Sequence, residues 1–189
     1  MRIFVFNLVL ACATSCAPVL RGPLDSACPE AAAATLDHGY ALLQQVLQDE
    51  SSVTLIFGLK EASESLETLV RNIGDAAATG ERAIRQMATL PPAIEWNSTG
   101  LPLIEVSARH HIANQQAAGL LLAGDSFELR LLLTQQKACD YISALAITIA
   151  AADVNAERSA MLTDLAHAFA SFDEELRTMV EVVQKRASP

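Results

Sequence analysis

Apolar residues recur along two stretches of the chain with the three- and four-residue spacing of a buried helix face. In residues 53–90 they are Leu55, Leu59, Ala62, Leu66, Leu69, Ile73, Ala76, Gly80, Ala83, Met87 and Leu90. In residues 155–186 they are Leu162, Leu165, Phe169, Phe172, Leu176, Met179 and Val183. This spacing places the apolar side chains on one side of an α-helix. Each stretch is therefore predicted to form one long helix.

Weaker patterns predict three more helices. The first begins at Pro29, which suits a first helical turn, and should end near Asp49 to Ser52. Pro91-Pro92 ends the long second helix. Gly74 and Gly80 are potential interruptions within it, but the apolar register is preserved across them, which favours one continuous helix. Gly80 also allows a neighbouring helix to approach closely. The third helix follows Pro102, and Gly124-Asp125 separates it from the fourth.

No stretch shows strand alternation of comparable strength, so the predicted fold class is all-α. We expect one domain over residues 29–189, a bundle of four to five helices. The two long helices, 53–90 and 155–186, should pack as a coiled-coil-like pair. Ion pairs at four-residue spacing, Asp173 with Arg177 and Glu181 with Lys185, should lie on the outward face of the last helix.

The start of the chain has a different pattern. Arg2 precedes an apolar run, residues 3–12, and no acidic residue occurs before Asp25. This is the layout of a secretory signal. The run is too short to span a bilayer, which requires about 20 residues. The sequence therefore predicts export without a permanent transmembrane helix.

The segment Ala13-Thr14-Ser15-Cys16 resembles the lipobox of bacterial lipoproteins, in which small residues precede a cysteine that is lipidated. It departs from the pattern at Ala13, where leucine is usual. The resemblance implies a signal peptide at residues 1–15, and a lipid anchor and tether at residues 16–28. Cys12 is the alternative anchor, and an ordinary cleaved signal on a secreted protein is the alternative to anchoring. If the source is Gram-negative, Ala17 after the anchor implies the outer membrane, facing the periplasm.

Charge and cysteine content restrict the possible partners further. The chain has 13 basic and 22 acidic residues, a formal net charge of −9, which disfavours nucleic acid as a partner. In an oxidising envelope Cys28 and Cys139 could form a disulfide. The alternative is a small buried residue at 139 and an unpaired thiol at 28.

The candidate ligand-binding residues are Glu105, His110 and His111 on the third helix. The competing interpretation of His110 is a core histidine, because it continues the apolar spacing of that helix. Asp164 and His167 have the three-residue spacing that ferritin-like bundles use for a metal pair, but the Glu-x-x-His arms of that family are absent from the sequence. Both should face solvent. No metal and no cofactor are predicted.

Two hypotheses for function follow. The sequence contains neither a G-x-S-x-G turn nor a phosphate-binding glycine loop, so no catalytic residue and no enzyme activity are predicted. The first hypothesis is an envelope lipoprotein acting as a scaffold or accessory, with protein partners or self-association through its helices. Trp96 is a candidate partner-binding residue, or a cap on the end of the bundle. The alternative is a periplasmic sensor or storage module that binds a small molecule or metal through Glu105, His110 and the run Asn114-Gln115-Gln116.

Overall fold

The computed structural model describes residues 29–95 and 103–187. Within these ranges there is no strand, which confirms the predicted all-α fold. Five α-helices are present there: α1 (Pro29–Ser51), α2 (Glu64–Met87), α3 (Leu103–Leu121), α4 (Phe127–Ala152) and α5 (Ala156–Ala187). A 3₁₀ helix, Val53–Gly58, lies between α1 and α2.

Four of the helices form the bundle, and α3 lies beside it. The most extensive packing joins α1 with α2 and α4 with α5, which are neighbours in the chain. Further contacts of α1 with α4 and of α2 with α5 close the bundle, whereas α3 packs mainly on α4. The core is formed by fully buried apolar side chains from all four bundle helices, among them Leu43, Leu47, Ile73, Ile142 and Phe169.

The predicted continuous helix over residues 53–90 is wrong. The chain passes through the 3₁₀ helix and then a non-helical segment, and α2 begins at Glu64. This segment is needed because α1 ends at Ser51 and the chain must reverse direction before α2 can pack against it. Glu64 and Glu67 in the first turn favour a helix start at this point. The carboxylate of Glu128 also accepts a hydrogen bond from the backbone N–H of Ser63, the N-cap residue of α2.

The first part of the apolar stripe in α2 faces the core as predicted, with Leu66, Leu69 and Ile73 buried. Farther along the helix Ala77 and Ile84 are buried in place of the predicted Ala76 and Ala83, which are half-buried. A Cβ atom on Gly80 would lie 2.8 Å from Cδ1 of Leu165, so the predicted close approach at this glycine is confirmed. The final helix matches its predicted range to within one residue. However, α2 and α5 are not each other's main partners, because α2 packs chiefly on α1 and α5 on α4.

Within the described residues, no helix combines the length and apolar character needed to cross a membrane.

Candidate functional site

One end of the bundle is held together by a buried ion pair. The side chains of Arg158 and Asp153 are fully buried, and Nε of Arg158 donates to Oδ2 of Asp153 at 2.7 Å. Nη2 donates to Oδ1 of the same carboxylate at 2.9 Å. Nη1 donates to the carbonyl oxygens of Leu90 at 2.6 Å and Pro92 at 2.8 Å. One guanidinium therefore joins the start of α5, the α4–α5 turn and the segment after α2.

Further hydrogen bonds complete this end of the bundle. The hydroxyl of Tyr40 donates to Oδ2 of Asp153 at 2.6 Å. Burial alone would raise the pKa of Asp153, but hydrogen bonds from Arg158 and Tyr40 hold it below its usual value. Oδ1 of Asn155 accepts from the backbone N–H of Arg158 at 3.0 Å and so caps α5. We call Tyr40, Leu90, Pro92, Asp153 and Arg158 the Arg158 end.

The opposite end exposes large apolar side chains. Here the α1–α2 connection meets the α3–α4 turn, where Nζ of Lys60 donates to the carbonyl oxygen of Ala123 at 3.1 Å. We call the four exposed leucines in these two connections and at the last residue of α3 the leucine end. Their exposed fractions are 75% for Leu55, 72% for Leu59, 41% for Leu121 and 86% for Leu122.

A groove of about 390 Å³ runs between α1, α3 and α4. It exists because α3 packs on α4 through few residues and leaves much of its length away from the bundle. Arg109 of α3 donates from Nη2 to the hydroxyl of Tyr141 on α4 at 2.7 Å, and its guanidinium lies 5.4 Å from the centre of that ring. The other lining residues are Val46, Asp49, Glu50, Ile112, Ala113, Gln116, Thr134, Lys137 and Ala138.

Glu50 is the most perturbed acid of the groove. It is 8% exposed. Burial raises its pKa to about 7, a hydrogen bond with Gln135 opposes the shift, and the charge of Asp49 adds to it. Oε1 of Glu50 has no hydrogen-bond partner among the described residues. Glu50 can therefore exchange a proton near neutral pH at the wall of an open groove.

More unpaired polar groups lie behind Glu50 in the core. Oε1 of Gln135 and Oδ1 of Asp173 are also buried and have no partner in the described part of the chain. The thiol of Cys139 is fully buried, and burial together with the charges of Glu50 and Asp173 raises its pKa. Asp173 pairs with Arg177 at 2.6 Å as predicted, but the prediction of an outward position is wrong, because Asp173 is only 9% exposed.

The candidate residues predicted on α3 lie outside the core. His110 and His111 are both exposed, so the interpretation of His110 as a core histidine is wrong. The reason is that α3 has little bundle surface to pack against. Burial raises the pKa of the Asp49 carboxyl, and His110 is close enough for its charge to oppose that shift. Glu105 lies on α3, but its side chain is outside the described residues.

Other predicted positions have mixed outcomes. Asn114 and Gln115 are exposed, whereas Gln116 lines the groove. Asp164 and His167 face solvent as predicted. Cys139 is buried and forms no disulfide within the described residues. The positions Cys12, Cys16, Cys28 and Trp96 lie outside the described residues, so lipidation, the disulfide with Cys139 and the role of Trp96 stay predictions.

Sequence reasoning missed Glu50 and Gln135, although a signal existed for each. Glu50 follows Leu43 and Leu47 at the spacing of the buried stripe of α1, and Gln135 lies between Leu131 and Cys139 at the same four-residue spacing. A polar residue in such a register marks a buried polar group. Among the described residues, no group of three or more His, Cys, Asp and Glu side chains is arranged to hold a metal ion.

The groove and the leucine end are thus two surfaces with groups that have no partner within the described chain. Comparison with known proteins gives no further guide to their use: no family model, no curated protein and no solved structure matches the chain.

Proposed function

We propose that this protein is a lipid-anchored, non-enzymatic bundle of the bacterial envelope that binds another protein through its leucine end. The observation that carries the proposal is the exposure of Leu55, Leu59, Leu121 and Leu122 at one end of the bundle. Single exposed apolar side chains are common, but a group of them in one region is typical of an interaction surface.

The direction of α1 supports this assignment. Tyr40, the middle residue of α1, bonds to Asp153, and Asp37, one turn earlier, accepts from the backbone N–H of Glu95 in the segment after α2. The last turn of α1 leads into the connection that carries Leu55. A helix of 23 residues is about 34 Å long at 1.5 Å per residue. An anchor at Cys16 would therefore hold the Arg158 end toward the membrane and present the leucine end to the periplasm.

Charge around the leucine end indicates the chemistry of the partner. Glu61, Glu64 and Asp125 are exposed on the same connections and on the first turn of α2. A complementary surface would be apolar at its centre and basic at its rim, and its association rate should fall as salt increases. The net charge of −9 likewise favours a positively charged partner.

A double substitution, Leu59→Ser with Leu122→Ser, tests the proposal. The full chain and the variant would each be isolated from envelope membranes, and the mass of the complex measured by size exclusion with light scattering. We expect the wild type to carry a partner or a second copy, and the variant to lose it. Val154→Ser, which changes a residue 81% exposed beside the Arg158 end, is the matched control. A strictly monomeric wild type, or equal loss in both variants, would contradict the proposal.

The lipid anchor is tested separately by metabolic labelling with palmitate. We expect Cys16→Ser to abolish the label and Cys12→Ser to retain it. Label that survives Cys16→Ser would assign the anchor elsewhere, and an unlabelled wild type would favour a secreted protein.

A second candidate function, the binding of a small molecule, is favoured by a separate observation, the unpaired Oε1 of Glu50 at the groove.

A further inference from the structure

Glu50 lies at the wall of the groove, and two further buried acceptors lie behind it in the core. Oε1 of Glu50, Oε1 of Gln135 and Oδ1 of Asp173 are buried, and none receives a hydrogen bond within the described chain. Buried polar atoms are nearly always paired, so an unpaired carboxylate oxygen beside the groove indicates a place for a donor from outside the protein. Glu50 is the member of this set that reaches the groove.

The lining of the groove defines the rest of the ligand. Val46, Ile112, Ala113 and Ala138 supply apolar surface along the walls. Such a surface fits an aliphatic chain, because the burial of methylene groups away from water is favourable. A ligand with an apolar body and a donor at one end would contact both this surface and Glu50.

We propose that the groove between α1, α3 and α4 binds a small molecule with an aliphatic body and a primary ammonium group, whose N–H groups donate to Oε1 of Glu50. An ammonium group has three donors and no acceptor, which matches the carboxylate oxygens of Glu50 better than a hydroxyl does. A carboxylate would bring a further negative charge beside Asp49 and Glu50.

Charged groups on the surrounding helices bear on the preference of the groove for an ammonium group. Arg109 is engaged with Tyr141, and Lys137 is exposed at the rim, so neither supplies a donor to the unpaired oxygen of Glu50. The titratable and charged groups facing the region are Asp49 and Glu50 of α1, Arg109 and His110 of α3, Lys137, Cys139 and Tyr141 of α4, and Asp173 of α5.

Binding should be coupled to proton release. The pKa of Glu50 is about 7 in the empty groove, so the carboxyl is largely protonated at pH 6 and largely ionised at pH 8. An ammonium group pairs with the ionised form, and a primary amine remains protonated over this range. The ionised fraction, and with it the affinity, should rise about tenfold from pH 6 to pH 8.

The test uses n-hexylamine as the probe, with hexanol and hexanoate as analogues of equal length. Binding to the full chain would be followed by ligand-observed NMR and calorimetry at pH 6 and pH 8. We expect hexylamine to bind about tenfold more tightly at pH 8, hexanol weakly, and hexanoate not at all. Glu50→Gln should lower the affinity for hexylamine at pH 8 by about tenfold and remove the pH dependence.

A second pair of variants keeps the test independent of Glu50. Ala113→Leu fills the groove and should weaken hexylamine binding, whereas Ala117→Leu changes an exposed residue of α3 outside the groove and should not. Circular dichroism melts would confirm that each variant is folded. The proposal is overturned if hexylamine does not bind, if it binds the wild type and Glu50→Gln equally, or if hexanoate binds more tightly.

Discussion

The two ends of this bundle differ in which side chains they bury: the Arg158 end buries charged groups, and the leucine end exposes apolar ones. At the Arg158 end a guanidinium and a carboxylate are fully buried, yet they are hydrogen-bonded to each other, to Tyr40 and to two carbonyl oxygens. At the leucine end apolar side chains remain in contact with solvent. The comparison teaches that the buried charges of the Arg158 end, which are fully paired within the protein, serve structure, whereas groups left without internal partners are the place to look for function.

Removing the guanidinium of the Arg158 end should have the largest effect. Arg158→Met leaves the carboxylate of Asp153 buried without its counter-ion, so we expect the free energy of unfolding to fall by about 3–5 kcal/mol. Urea denaturation would measure it. Arg71→Met, which removes an arginine that is 53% exposed in its ion pair, should cost less than about 1 kcal/mol.

A double variant separates charge from packing at the Arg158 end. Asp153→Asn combined with Arg158→Met removes both charges and should recover part of the lost stability. If Arg158→Met proves as mild as Arg71→Met, the buried pair does not close the bundle.

Titration of Glu50 should give the next largest effect, away from the Arg158 end. Its pKa is raised from 4.5 to about 7 on folding, so the folded protein binds the proton more tightly than the unfolded chain does. This stabilisation is complete below about pH 4.5 and is lost as pH rises toward 7, a change of about 3 kcal/mol. The free energies of unfolding of Glu50→Gln and wild type would be measured at pH 4.5 and at pH 7.5. Their difference should move in favour of the variant by about 3 kcal/mol between the lower and the higher pH. A constant difference would contradict the assignment.

The smallest effect on stability should come from the leucine end. Leu59→Ser and Leu122→Ser change side chains that are 72% and 86% exposed, so each should alter the free energy of unfolding by less than about 0.5 kcal/mol. Thermal and urea denaturation would check this. A large loss of stability would show that these leucines serve the fold rather than a partner.

The sequence predicted the helices well because burial of one helix face leaves a periodic pattern. It failed where exposed residues imitate that pattern, since Leu55 and Leu59 keep the register of α2 but lie in the preceding connection. It also failed for His110, because the apolar spacing of α3 does not show how little of that helix meets the bundle.

The polar contacts were beyond reach for a different reason. Tyr40 and Asp153 are 113 positions apart, and no local spacing connects them. Arg158 carries a charge that ordinarily indicates solvent exposure, so its burial depends on partners that only the folded chain brings together.

Photo-crosslinking in the cell tests the central claim most directly. A photoreactive amino acid would replace Leu122 at the leucine end or Val154 beside the Arg158 end, two positions of similar exposure. We predict a discrete crosslinked product of defined mass from position 122 and none from position 154. Equal products from both positions, or none from position 122, would contradict the assignment of the leucine end as the binding surface.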